Sequence, residues 1–404
     1  MARRDSLIGH VPLSYLTPRV TSANDATVIT DIGSGGKRRP PQAWSGDSDV
    51  DMEAQRLKYL HESLAPDTHV TYNSHQRRWA AYRAARGEHW LMPEGLTQRE
   101  YEDILMTHVT YCARVANLAA STIEGRLAAI VRLHVENYIM LDRAQMPLLG
   151  LVVRGIKRLQ GGCSRKFAVT IDILEELMSR SDDEDWDDYV TTTAALTGFF
   201  FLLRSTEYLD VGTAANFKMR LRTAHVCLRA NGVDLDLTKP WKEGDPIPDE
   251  MLITLPYSKT DMEGQGREIN LFSDPGNPMC VVGRLHEMWK RRPRYFTQPE
   301  ASLFRTTLDK PIKKEHLQDK LREAAKALNY DADDFSSHSL RAGGATAMYH
   351  ADVPIEDIQR RGRWKSDCWR IYIFGDRNRA RGLFQKMSAK SVSLFAATRL
   401  RRRD

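Results

Sequence analysis

The feature that most narrows the fold is where strand patterning occurs. It is convincing only across residues 225–271, while the sequence on either side follows a helical period. In that window His225 to Arg229 and Val233 to Leu237 flank Asn231-Gly232, a pair that reverses an antiparallel ribbon in two residues. Met251 to Tyr257 and Arg267 to Leu271 form a second such pair, joined by a loop that carries Lys259. The expected fold is therefore mainly α with a small antiparallel β-sheet.

Four helices are expected between residues 51 and 160. The first starts near Pro66, Asp67 and Thr68 and runs through Tyr72, Trp79 and Tyr82, with Arg77, Arg78, Arg83 and Arg86 on its other faces. The second begins near Thr97 and places Tyr101, Ile104, Leu105 and Val109 at helical spacing. Ser121 with Glu124 three residues later reads as a capping box opening the third, whose apolar stripe is Ile123, Leu127, Ile130 and Val131. Pro147 to Leu159 makes the fourth, ending in a basic run with Lys157 and Arg158.

Gly161, Gly162, Cys163 and Ser164 then break the pattern, followed by Arg165 and Lys166. At 404 residues there is enough chain for two ordinary domains and a tail. The division expected is a disordered leader over 1–50, a helical domain over 51–160, a linker over 161–168, a second domain over 169–390 and a basic tail over 391–404.

Composition excludes several classes. An apolar fraction of 42% and a charged fraction of 28% are those of a globular protein. No apolar run approaches the ~20 residues that span a bilayer, and the basic start lacks a secretory apolar core, so an intracellular protein with no membrane association is expected. Five scattered cysteines without paired spacing argue against a disulfide framework or a zinc site. The net charge of +6 favours a polyanionic partner.

The second domain is expected to open with helices over 171–180 and 186–204, the latter delivering Arg204 at the end of an apolar run, with Glu207 just beyond. Helices over 278–290 and 313–328 follow. Phe335 to Gly375 then gathers His338, Arg341, Trp364 and Tyr372. His338 and Arg341 are three apart where a helix begins, so both can project from one face. Ala342, Gly343, Gly344 and Ala345 would let that helix approach a neighbour closely. Pro354 is placed to open the next helix and Gly362 to close it. These are parts for handling a phosphodiester: a planar cationic fork that matches two phosphate oxygens, a proton carrier, an indole donor and a phenol.

These residues carry a resemblance. The stretch is similar to the catalytic part of tyrosine recombinases, the integrase family that shares its chemistry with type IB topoisomerases. His338 and Arg341 match its H-x-x-R box, Trp364 its His/Trp position and Tyr372 its nucleophile. Arg204-Ser205-Thr206-Glu207-Tyr208-Leu209 matches R-x-x-E-L with Tyr208 in a variable slot, and Lys259 sits where the family keeps a catalytic lysine. The wording around HSLRAGGATA and GRWKSD is closest to recombinases of eukaryotic mobile elements, the DIRS-like and Crypton groups. One departure is that Trp364 and Tyr372 lie one residue closer than in most bacterial and phage members.

The resemblance implies a two-domain architecture: a helical core-binding (SAM-like) domain and an α+β catalytic domain that clamp double-stranded DNA. Arg204 and Arg341 would grip the phosphate with Trp364, Tyr372 would attack it, and His338 and Lys259 would handle protons, with Glu207 supporting Arg204. No cofactor or metal is implied. Arg77, Arg78, Lys157, Arg158, Arg165 and Lys166 are the candidate DNA contacts. Exchange of C-terminal helices between protomers, a tetramer on paired sites and, in a eukaryote, a nuclear location are further implications. Two alternatives are a DNA-binding protein that kept the fold and lost turnover, and a topoisomerase-like relaxing enzyme.

Overall fold

A computed structural model of the chain describes residues 49–161, 166–212, 219–256 and 266–373. The leader, the loop containing Lys259, Arg165 and everything beyond residue 373 lie outside the described residues. The chain divides into two compact units, Met1–Cys163 and Ser164–Asp404. No helix among the described residues is long and apolar enough to cross a membrane.

The described part of the first unit is helical: α1 (Asp49–Glu62), α2 (Pro66–Ala84), α3 (Gln98–Arg114), α4 (Ala120–Glu136) and α5 (Pro147–Gln160). The segment now seen as α1 was not expected as a helix; its mean hydropathy is low and Met52, Leu57, Tyr59 and Leu60 stay exposed, so no buried stripe announces it. Trp79 of α2 is fully buried with Leu105, Val109, Ile123, Leu127 and Ile130, and its Nε1 donates to the Trp90 carbonyl at 2.7 Å. Burying an apolar side chain of this size contributes roughly 1.5–3 kcal/mol.

The capping box lies elsewhere than expected. At α3 the Thr97 hydroxyl accepts from the Glu100 amide while the Glu100 carboxylate accepts from the Thr97 amide, at 2.8 Å. Ser121 caps nothing, because α4 starts one residue earlier; the freed amide of Ala120 is satisfied by Gln160 Oε1 of α5 at 2.8 Å. A long-range partner has replaced a local cap.

The second unit is built around α7 (Trp186–Phe200), buried on nearly every face. A helix buried all round must satisfy its polar side chains internally. The hydroxyls of Thr191, Thr193 and Thr197 donate back to the carbonyls of Asp187, Tyr189 and Thr193 at 2.6–2.7 Å. Around α7 lie α6 (Ile171–Ser179), α8 (Ser205–Tyr208), α9 (Val281–Arg291), α10 (Lys314–Ala327), α11 (Ser337–His350) and α12 (Ile355–Gly362).

The sheet consists of β1 (Val226–Ala230), β2 (Val233–Asp234), β3 (Glu250–Leu255) and β4 (Arg267–Phe272), antiparallel in the order β2-β1-β3-β4. Asn231 and Gly232 both take positive φ, 52° and 77°, as a two-residue hairpin turn demands. Met251, Ile253 and Leu255 point to the core in strict alternation, opposite Leu271, Ile269 and Arg267. The fold class is thus mainly helical with a small four-stranded antiparallel sheet.

Two close approaches set the position of α11. A Cβ on Gly343 would lie 2.1 Å from the Val169 carbonyl oxygen, and one on Gly344 would lie 2.1 Å from that of Phe199. The expected tight approach of this small-residue face is found, against the end of α7 and against the segment that precedes α6.

Candidate active site

The site grows from two helix ends. The apolar run predicts that α7 continues to Arg204, but the helix stops at Phe200 because Leu202 adopts a left-handed conformation, φ 50°. The Leu202 amide donates to the Phe199 carbonyl and the Leu203 amide to that of Gly198, closing a Schellman turn. Arg204 therefore precedes a new short helix, α8, rather than finishing the old one.

A second turn of the same kind ends α12. The Arg363 amide donates to the Arg360 carbonyl and the Trp364 amide to that of Gln359. The left-handed residue is Arg363, φ 58° and ψ 41°, and not the glycine expected to close the helix. Gly362 serves another need: the Trp364 ring lies over it so closely that a Cβ there would sit 1.8 Å from Cζ3.

Arg341, at 1% exposure, bridges the two ends. Its Nη1 donates to the Leu202 carbonyl and its Nη2 to the Gly362 carbonyl. Unpaired carbonyls at a helix C-terminus carry partial negative charge, so a guanidinium there is stabilised without any carboxylate in direct contact. Arg361 adds a further cation at the end of α7 by donating from Nε to the Phe200 carbonyl at 3.2 Å.

Glu207, also 1% exposed, ties the remaining arginines together. It accepts from the Arg204 amide at 2.7 Å, from Arg204 Nη1 at 2.9 Å and from Arg363 Nη2 at 2.9 Å. Burial by itself would push this carboxyl up, but Arg363, Arg204 and the Arg204 amide outweigh it and hold the group below the ordinary carboxylate range. Burial, then the neighbouring Arg363 and Arg204, depress the Arg341 pKa.

The aromatic residues stack on this frame. The Trp364 ring centroid lies 4.5 Å from the Arg341 guanidinium and 5.2 Å from the Tyr372 ring, the two rings inclined at 33°. Arg341 is 5.7 Å from the Tyr372 ring. Tyr372 is half-buried at the end of a 3₁₀ turn, Asp367–Tyr372, and its carbonyl accepts from Thr346 of α11 at 2.8 Å.

The structure thus brings together Arg204, Glu207, Arg341, Trp364 and Tyr372. His338 is exposed in the first turn of α11, whereas Arg341, three residues on, turns inward. Lys259 lies outside the described residues, as does Arg165. Arg77 and Arg78 on α2 and Lys157 and Arg158 on α5 are exposed. Lys166 is exposed and donates to the Asp333 carbonyl.

Arg363 was missed in the sequence. The only signal in the sequence is Gly362-Arg363-Trp364, where a glycine that suits a helix end draws attention from the arginine after it.

Residues 270–373 match the sequence model described as the Phage integrase family. That stretch contains Arg341, Trp364 and Tyr372 but not Arg204 or Glu207. A search of curated proteins gives no match. Among solved structures the chain is similar to XerA recombinase, at 12% identity over 84% of this chain and 98% of that one, with a TM-score of 0.37. XerH site-specific recombinase in a post-cleavage complex with difH DNA matches at 14% identity, 70% and 71% coverage and a TM-score of 0.48. A lambda integrase(75-356) dimer bound to a core site gives 14%, 82% and 95%, and 0.45.

Proposed function

We propose that this protein is a tyrosine recombinase that cuts and rejoins double-stranded DNA through a 3′-phosphotyrosyl intermediate, in the service of a mobile element. The observation that carries the reading is the convergence just described: buried Arg341 seated on two helix ends, Trp364 lying over it, Tyr372 tilted against Trp364, and Glu207 joining Arg204 to the same cluster. A cluster of guanidiniums with one carboxylate among them is a site for an anion, and its fixed donors stabilise charge as it develops on a phosphorane-like transition state.

In this reading Arg204 and Arg341 hold the non-bridging oxygens of the scissile phosphate, with Trp364 as a further donor. The Tyr372 hydroxyl attacks phosphorus; the bond to the 5′ oxygen breaks, and the strand stays joined to the enzyme through its 3′ phosphate. His338 assists the transfer of the phenol proton, and Lys259 protonates the departing 5′ oxygen. Attack by a 5′ hydroxyl on the phosphotyrosine reverses these events and reseals a strand with no energy source beyond the conserved bond. Exposed Arg77, Arg78, Lys157 and Arg158 bind the duplex backbone, and protomers assemble on paired sites.

The test is covalent capture. A nicked suicide duplex, made from DNA selected for binding to the wild-type chain, should become covalently attached to the wild type and not to Tyr372→Phe, while both bind it. An adduct formed by the Phe variant would show that another group is the nucleophile.

A further inference from the structure

Arg363 has no role in the mechanism above, yet its position is costly to the fold. A left-handed φ of 58° suits glycine, not arginine. The residue is 5% exposed, and its Nε and Nη1 are buried with no hydrogen-bond partner among the described residues. A buried ion pair is a weak source of stability, since desolvation offsets most of the attraction. A residue kept at such a place for folding alone would be better replaced by glycine.

What the guanidinium does is join the two halves of the cluster. Its Nη2 donates to Glu207 Oε2 at 2.9 Å and to the Leu202 carbonyl at 3.0 Å. Glu207 is the partner of Arg204, and the Leu202 carbonyl is an acceptor for Arg341. One nitrogen thus touches the anchor of each arginine that the proposed chemistry needs. Three guanidiniums around one carboxylate also leave two positive charges uncompensated among these four groups, a surplus that suits a bound phosphodiester.

We propose that Arg363 is a positioning residue, whose guanidinium between Glu207 and the Leu202 carbonyl holds Arg204 and Arg341 in mutual register for one phosphodiester. This rests on the phosphodiester-cleaving function proposed above. The residue acts through its neighbours and has no direct contact with the DNA.

The consequence that separates positioning from mere folding lies in pH. The groups facing Glu207 are Arg204 just before α8, Arg341 of α11, Arg363 after α12 and the adjoining Tyr208; Arg267 of β4 in turn acts on Arg363. Burial favours the protonated carboxyl, and Arg363 is the foremost group opposing it. Without Arg363 the Glu207 pKa rises. As pH falls through that raised value the carboxyl takes a proton and releases Arg204, so cleavage acquires an acid limb at a higher pH than in the wild type.

The experiment uses the full chain and the nicked duplex selected for binding. Single-turnover adduct formation is followed across pH for wild type, Arg363→Gly and Arg363→Lys, with duplex affinity and thermal melting as companions. Glycine fits the backbone, so Arg363→Gly should fold, and it should bind within about three-fold of wild type because other phosphate contacts dominate affinity. Its adduct rate should fall about 10²-fold, as expected for a small displacement of a gripping group, with the added acid limb. Arg363→Lys restores a cation opposite Glu207 and should remove the limb while recovering part of the rate.

Adduct formation by Arg363→Gly at the wild-type rate overturns the proposal. So does a loss equal at every pH that lysine does not relieve, which marks a purely structural residue. A wild-type chain that forms no adduct overturns the phosphodiester reading and this one together, whereas an active wild type with an equally active Arg363→Gly overturns this one alone.

Discussion

Arginine appears in two contrasting settings. On α2 of the first unit Arg77 and Arg78 are exposed, as are Lys157 and Arg158 on α5. In the second unit Arg341 and Arg363 are 1% and 5% exposed, fastened to carbonyls and a carboxylate. An exposed cation has a solvated, mobile head and acts by number, through counterion release. A buried one has lost its alternatives and presents its donors in a single geometry, as transition-state stabilisation demands. Burial alone does not make such a site. Arg126 in the first unit is equally buried but donates to the Cys112 sulfur at 3.2 Å, beside His108, with no ion pair to a carboxylate among the described residues.

The sharpest way to break this contrast is Arg341→Ala. Adduct formation should fall about 10²–10³-fold, measured in single-turnover capture. Two buried carbonyls would lose a donor, so the unfolding free energy should also drop by about 1–3 kcal/mol, read from denaturant titration. Were cleavage untouched, held arginines would have no special standing.

Gly344→Ala comes next and leaves every charge in place. Its new methyl would press on the Phe199 carbonyl and push α11 from α7, at a cost of about 1–3 kcal/mol. Because α11 carries Arg341, cleavage should decline along with stability, and Thr346 of the same helix would pull on the Tyr372 carbonyl. Unchanged cleavage would mean that the fit between α7 and α11 does not set the site.

The smallest effect belongs to the exposed set. Arg78→Ala or Lys157→Ala should each weaken duplex binding modestly and reduce the slope of log affinity against log salt by about 1. Cleavage of DNA already bound should stay the same. If either change abolished cleavage at saturating DNA, that residue would belong with the buried group.

Much of this was legible in the sequence because it depends on local pattern. The Asn231-Gly232 turn, the alternation of β3 and the stripes of α3 and α4 follow from residues near one another in the chain. Gly343 and Gly344 announced a close approach because small residues have few other uses on a helix face. What escaped depended on distant partners. Nothing near Ser121 shows that Gln160 will cap α4 instead, and nothing in the apolar run ending at Leu203 shows that Leu202 will turn left-handed without glycine. Arg363 was hidden for the same reason, since its worth comes from Glu207 and Leu202, more than 150 positions away. Arg204, Glu207, Arg341, Trp364 and Tyr372 could be picked out individually. That Arg341 would reach across to the ends of two other helices could not.

Arg341 rests on main-chain oxygens, and this limits how the protein can vary. No codon change deletes a peptide carbonyl, so drift at Leu202 or Gly362 cannot remove the acceptors themselves, only shift the turns that present them. Inheritance of this anchor is therefore written in backbone shape and in a single guanidinium, leaving the surrounding side chains freer to diverge.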